Sequence, residues 1–112
     1  MKIAITSPIE GESLPYRRRV SGVVFPALSQ VQVFIYSGDN FWYRQADPLI
    51  MGSSWEIDNC YFGNENSYGA SFKIIALDGS ARLDNKISRL PTKGSRSNIV
   101  AVSRLPTSNV TT

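Results

Sequence analysis

Histidine is missing from the 112 residues, and cysteine occurs once, at Cys60. Without imidazole there is no Ser-His-Asp triad, no histidine metal ligand and no side chain that titrates near neutrality by default. One cysteine closes no intrachain disulfide and builds no cysteine zinc site. No apolar run approaches the ~18 residues of a membrane-spanning helix. Charge is moderate, at 19% of residues, while 42% are hydrophobic. That balance belongs to a globular chain and not to a disordered one. The length allows one domain at most.

The charge is uneven. The net charge is +3, yet the stretch from Arg82 to Arg104 holds six bases, Arg82, Lys86, Arg89, Lys93, Arg96 and Arg104, against one acid, Asp84. Such asymmetry steers a domain towards acidic partners, or merely keeps a long polar loop soluble. The stretch lacks interleaved aromatics, and no nucleic-acid motif is present, so nucleic acid is disfavoured as a partner. Arg17-Arg18-Arg19 forms a second cluster. On a strand, alternation sends Arg18 away from its two neighbours.

The periodicity is two nearly throughout. Lys2–Thr6, Val20–Phe25, Gln30–Tyr36, Phe41–Gln45, Trp55–Phe62, Ala70–Leu77 and Ile99–Ser103 each read as strands. Leu49–Met51 is a short extended piece. Gly22 inside its strand signals a bulge or a close backbone approach. Ser37-Gly38-Asp39-Asn40 reads as a hairpin turn. In the fourth segment Val31, Val33 and Ile35 share one face, with Gln32, Phe34 and Tyr36 on the other, and Phe34 and Tyr36 are expected to stand on the open, outer side of the sheet. In the Trp55–Phe62 segment, strict alternation places Cys60 and Phe62 with Glu56 and Asp58, on the solvent side. Residues 78–98 show weak periodicity, and Leu83, Ile87 and Leu90 are the apolar residues between Arg82 and Pro91. Their spacing suits one helical turn, which Pro91 and Gly94 would end, and Ile87 and Leu90 are expected to anchor the segment. Ser-Arg-Leu-Pro-Thr occurs at 88–92 and at 103–107, which reads as two strand-to-loop exits or as chance.

Seven strands with regular turn signals fit an antiparallel β-sandwich, with a small barrel as the competing architecture. The sandwich is expected to occupy residues 1–105, followed by a linker or disordered tail at 106–112. The start lacks the apolar core of a secretory signal. Either the protein is intracellular or Met1 begins a segment cut from a longer exported chain, so the compartment stays open. Asn109-Val110-Thr111 matches a glycosylation sequon of little weight.

The order of short motifs resembles the immunoglobulin-like β-sandwich modules of bacterial and archaeal multidomain and cell-surface proteins. The matching pieces are Ile5-Thr6-Ser7-Pro8 with Gly11, Val20-Ser21-Gly22-Val23-Val24, the 31–36 strand, Trp42-Tyr43-Arg44-Gln45, Gly52 to Trp55, Phe62-Gly63 and Gly69 to Phe72. The basic 82–98 segment departs from it, and so does the unpaired Cys60. The resemblance implies a non-catalytic accessory module, a spacer or protein-interaction element that binds other domains of a parent protein or another protein. It implies no catalytic residue, and the residues themselves suggest no cofactor and no metal site.

Among the residues themselves, the aromatics are the most informative. Phe41, Trp42 and Tyr43 are consecutive, so either Trp42 or the Phe41–Tyr43 pair faces outward. Trp42 and Tyr43, with Gln45, Asp39 and Asn40 beside them, form a candidate partner site. The alternative is a carbohydrate-binding module in which the rings pack on sugar faces. The opposing expectation is that Trp42 and Trp55 plug the core. Tyr61, Phe62 and Tyr68 flank a loop and would form a smaller platform. Glu56 and Asp58 share a strand face, which suits a solvated edge better than an acid–base pair.

Overall fold

Strand alternation becomes two layers. The computed structural model describes residues 1–106 and is all-β, with ten strands among them. They are β1 (Lys2–Ser7), β2 (Ser13–Leu14), β3 (Arg17–Phe25), β4 (Val31–Tyr36), β5 (Trp42–Arg44), β6 (Leu49–Met51), β7 (Ser54–Tyr61), β8 (Ser71–Asp78), β9 (Lys86–Ile87) and β10 (Val100–Arg104). All seven long segments read from the sequence are present. Three short strands, β2, β6 and β9, bring the number above seven. The tail expected at 106–112 falls, after Pro106, outside the described residues, as does the 109–111 sequon.

One sheet has the order β1-β3-β7-β6, the other β2-β10-β8-β4-β5-β9. All pairings are antiparallel except β2 with β10, which is parallel. The sheets face each other across one apolar cluster. Ile3, Ile5, Val20, Val24, Trp55 and Ile57 come from the first, and Val33, Ile35, Phe72, Ile74, Val100 and Val102 from the second. Removing these side chains from water is the main stabilising term, at about 1.5–3 kcal/mol for each large aliphatic or aromatic residue.

Trp55 lies wholly in this core, 1% exposed, with its indole N–H donating to the Val23 carbonyl at 3.1 Å. Gly22 is its cross-strand neighbour and leaves room for the ring. The glycine therefore marks a close approach, one of the two readings its place in a strand allows.

A second cluster lies on the other side of the six-stranded sheet. Phe34, Ile75 and Leu77 are buried there under Trp42, Leu83, Ile87 and Leu90. Alternation had put Phe34 on an open face; the 78–98 segment folds back and covers it. No helix forms around Leu83, Ile87 and Leu90. Instead Lys86–Ile87 pairs with Tyr43 and Trp42 as β9. Gln32, only 4% exposed, explains how so irregular a segment is held. Its amide donates to the carbonyls of Asp78 at 2.9 Å and Ala81 at 3.0 Å, and accepts from Leu83 N–H at 3.1 Å. Ser97 exchanges backbone and hydroxyl bonds with Ala76 further along.

Cys60 also departs from strict alternation. The β3–β7 register shifts between Arg18 and Val20, and the irregularity turns Cys60 and Phe62 inward. Both are 0% exposed, so Phe62 belongs to the core and to no surface platform.

Candidate functional site

The open part of the six-stranded sheet carries the candidate site. Residues on one face of a sheet recur every second position, so register decides which side chains meet. Tyr36 lies opposite Lys73 on one side and Trp42 on the other, and Ala101 lies opposite Lys73. The Tyr36 and Trp42 rings sit 5.0 Å apart, tilted by 39°. Beside them runs an open groove of about 490 Å³, lined by Glu10, Tyr36, Ser37, Lys73, Ala101 and Ser103 among others. It has an aromatic wall, one cation and one anion. Trp42 is half-buried, with its ring packed against the second cluster, so it is neither a core plug between the sheets nor a free platform.

The remaining aromatics of the 39–45 segment point the other way. Tyr43 and Lys86 are register partners, and the Lys86 ammonium lies 4.2 Å from the Phe41 ring centroid and 5.8 Å from that of Tyr43. The Tyr43 hydroxyl donates to Asp39 Oδ2, and Phe41 N–H donates to Asp39 Oδ1 at 3.2 Å. The Tyr43 hydrogen bond holds the Asp39 carboxyl below its ordinary value, and the same bond raises the Tyr43 phenol. Asp39 therefore braces the hairpin. Asn40 sits exposed at the turn with φ of 73°. Gln45 is taken up by the fold: it donates to the Tyr43 carbonyl and accepts from Tyr61 N–H, each at 3.1 Å. The five residues expected to form one site thus divide: Trp42 packs behind Tyr36 on the second cluster, Asp39, Asn40 and Tyr43 belong to a braced hairpin, and Gln45 links the sheets.

The basic segment does not form one patch. Arg82 pairs with Asp47 at 3.0 Å, Arg96 donates to the Pro91 carbonyl, and Lys86 lies over Phe41. Arg89 and Lys93 are exposed. Arg104 is buried, 4% exposed, and leaves the patch altogether. Its guanidinium donates to the carbonyls of Phe62 and Asn64 at 2.7 Å and of Glu65 at 3.3 Å. Since Arg89 is exposed where Arg104 is buried, the two Ser-Arg-Leu-Pro copies do different things. In the N-terminal cluster Arg18 turns inward to Glu12 at 2.7 Å, while Arg19 faces Asp58 at 3.4 Å. Burial works against the Glu12 carboxylate, but the Arg18 and Ile9 N–H bonds outweigh it and hold its pKa below the ordinary value.

Among the described residues no group of three or more Cys, Asp or Glu side chains is arranged to hold a metal ion. Nor is any helix among the described residues long and apolar enough to cross a membrane. The Tyr61 and Tyr16 rings meet at 5.4 Å, tilted by 59°, and the Arg104 guanidinium lies over the Tyr68 ring at 5.6 Å. Glu10 and Lys73 were invisible as site residues in the sequence, because only register brings their neighbours together.

Cys60 yields a first prediction. Burial pushes its thiol up to about 12 from an ordinary 9.0. The native thiol is therefore expected to resist an aromatic disulfide reagent at pH 8 and to react once urea unfolds the chain; rapid native labelling would refute its burial. The sign for stability follows from linkage. The unfolded thiol ionises near 9.0 and the folded one near 12, so this contribution is intact below pH 9 and is lost as pH rises through 12.

The chain matches no known protein-family model and no curated protein.

Proposed function

We propose that the chain is an immunoglobulin-like accessory module of a larger prokaryotic protein, non-catalytic, serving as a spacer or protein-interaction element. The strand order carries this reading. An immunoglobulin sandwich sets strands A, B, E and D against G, F, C and C′. The orders β1-β3-β7-β6 and β10-β8-β4-β5 correspond to these. The first edge is split between layers, with β1 on β3 and β2 parallel to β10. The fold position of the departure is then the F–G connection, whose 78–98 segment folds back over the outer face. What it leaves open is the groove beside Tyr36 and Lys73, which is where a partner would be met. The groove lies open to solvent along the sheet, which suits a side chain or a short segment of a partner.

A photo-crosslinking amino acid at position 73, in cells making the whole protein, tests this. Discrete adducts are expected at 73, lost when Tyr36→Ser is added, and none at position 58 on the opposite sheet. Equal adducts at both positions, or turnover of a substrate by the purified domain, would overturn the reading. The glycan alternative rests on the Tyr36–Trp42 pair. Glycan-array binding that Trp42→Ala abolishes, with no adduct at 73, would replace the protein partner with a sugar.

A further inference from the structure

At the end of the sandwich away from the groove, a cleft of about 330 Å³ is lined by Gln30, Gln32, Arg44, Asp47, Pro48 and Arg82 among others. Two guanidinium groups meet there over one carboxylate. Arg82 Nη1 lies 3.0 Å from Asp47 Oδ2, and Arg44 Nη1 lies 3.4 Å from Asp47 Oδ1. The lining thus keeps one positive charge uncompensated. Gln30 and Gln32 add none, and Gln32 spends its amide on the 78–83 backbone.

The two arginines differ. The Arg82 and Asp47 side chains are 61% and 63% exposed, so their pair is screened and weak. The Arg44 side chain is 10% exposed, hence nine-tenths buried. Its Nη2 donates to Asn85 Oδ1. Its Nε–H is buried without an acceptor among the described residues. A buried donor left unmade is costly, and more so when the group is charged. The 3.4 Å separation to Asp47 is long for a charge-assisted bond, which closes to about 2.7–2.9 Å. Asp47 therefore compensates Arg44 in charge and fails it in geometry. It is exposed, on the connection between β5 and β6.

We propose that this cleft is a carboxylate-binding site, in which an incoming carboxylate takes the place of Asp47 against Arg44 and shares Arg82. Asp47 is an internal competitor with the chemistry of the ligand. That chemistry is a carboxylate because one already bridges both guanidiniums. The inference stands on the cleft alone and does not require the accessory-module reading.

The test follows the Arg44 Nε–H resonance of the full chain while succinate is added against sodium chloride of equal ionic strength. A saturable shift specific to succinate is expected. Asp47→Asn should bind about threefold tighter, as when a competitor holding the site about two-thirds of the time is removed. Arg82→Gln should weaken binding about tenfold, the loss of one charge-assisted bond. Asp47→Ser repeats the competitor test should Asp47→Asn lose its dispersed amide spectrum. Several results would overturn the site: no saturable shift in the Asp47 variants, an equal shift with chloride, or Asp47 variants that bind no tighter than the native chain. Inorganic phosphate runs as a parallel arm, and binding of phosphate with succinate silent also rejects a carboxylate site.

Discussion

Among the glycines, Gly22 is the one where an added methyl is expected to do most damage. A Cβ at Gly22 would overlap the Ala4 carbonyl oxygen and lie 2.5 Å from Cζ2 and 2.6 Å from Cε2 of Trp55. Neither neighbour can yield cheaply. The first is backbone in the β1–β3 ladder, where Ala4 pairs with Val23. The second is an indole 1% exposed and fixed by its own hydrogen bond to Val23. Overpacking of a tight core costs about 1–3 kcal/mol and occasionally more. Here the clash involves backbone and an immobile ring together, so about 3 kcal/mol or more is expected, a large part of a typical 5–15 kcal/mol stability. Urea unfolding followed by tryptophan fluorescence measures it. Val23→Ala, at the exposed neighbouring position, is the control and should stay within about 0.5 kcal/mol. An unchanged midpoint for Gly22→Ala would mean that β1 and β3 do not approach as described.

Gly22 also shows what the sequence could and could not say. A glycine amid Val20, Val23 and Val24 announces a tight spot, because any β-branched residue would serve the strand better. It does not announce that the indole comes from Trp55, since partner strands are set by topology. The same holds for the long strands. Period-two patterning located them because each buries one face against the core. It misplaced Cys60 because a register shift in β3–β7 resets the phase, and the mark it leaves, two polar residues in a row at Asp58 and Asn59, is passed over by a strict count of two. It left Phe34 on an open face for a different reason. The cover over Phe34 is a segment without periodicity, held by Gln32 and by scattered Leu83, Ile87 and Leu90. Such cover is built from side-chain to backbone bonds, whose partners lie about fifty residues apart in sequence. The candidate site suffered most. Asp39, Tyr43 and Gln45 are the polar and aromatic types that bind ligands, and they are also the types that brace hairpins and join sheets. Only the hydrogen-bond partners separate these roles.

Arg104 makes the same point, with an expected effect of the same size. By composition it closes a basic stretch; by position it is a buried clamp. Arg104→Met is expected to destabilise the domain by about 3 kcal/mol or more, since carbonyls of Phe62, Asn64 and Glu65 lose their donor at once. The Tyr16 and Tyr68 rings, whose centroids lie 5.5 and 5.6 Å from the guanidinium carbon, would lose their cation as well. Because three carbonyls are gathered by one planar fork, Arg104→Lys keeps the charge and should recover less than half of the loss. The partners are carbonyls and not carboxylates, so the penalty should be the same at pH 4 and pH 7. Thermal unfolding at both pH values measures this, with amide exchange across residues 62–70 reporting whether the loop is released. A lysine variant as stable as the native chain would show that Arg104 acts as a point charge. A penalty that vanishes at pH 4 would show that an acidic side chain holds it. Either result would break the link between the buried arginine and the loop backbone it gathers.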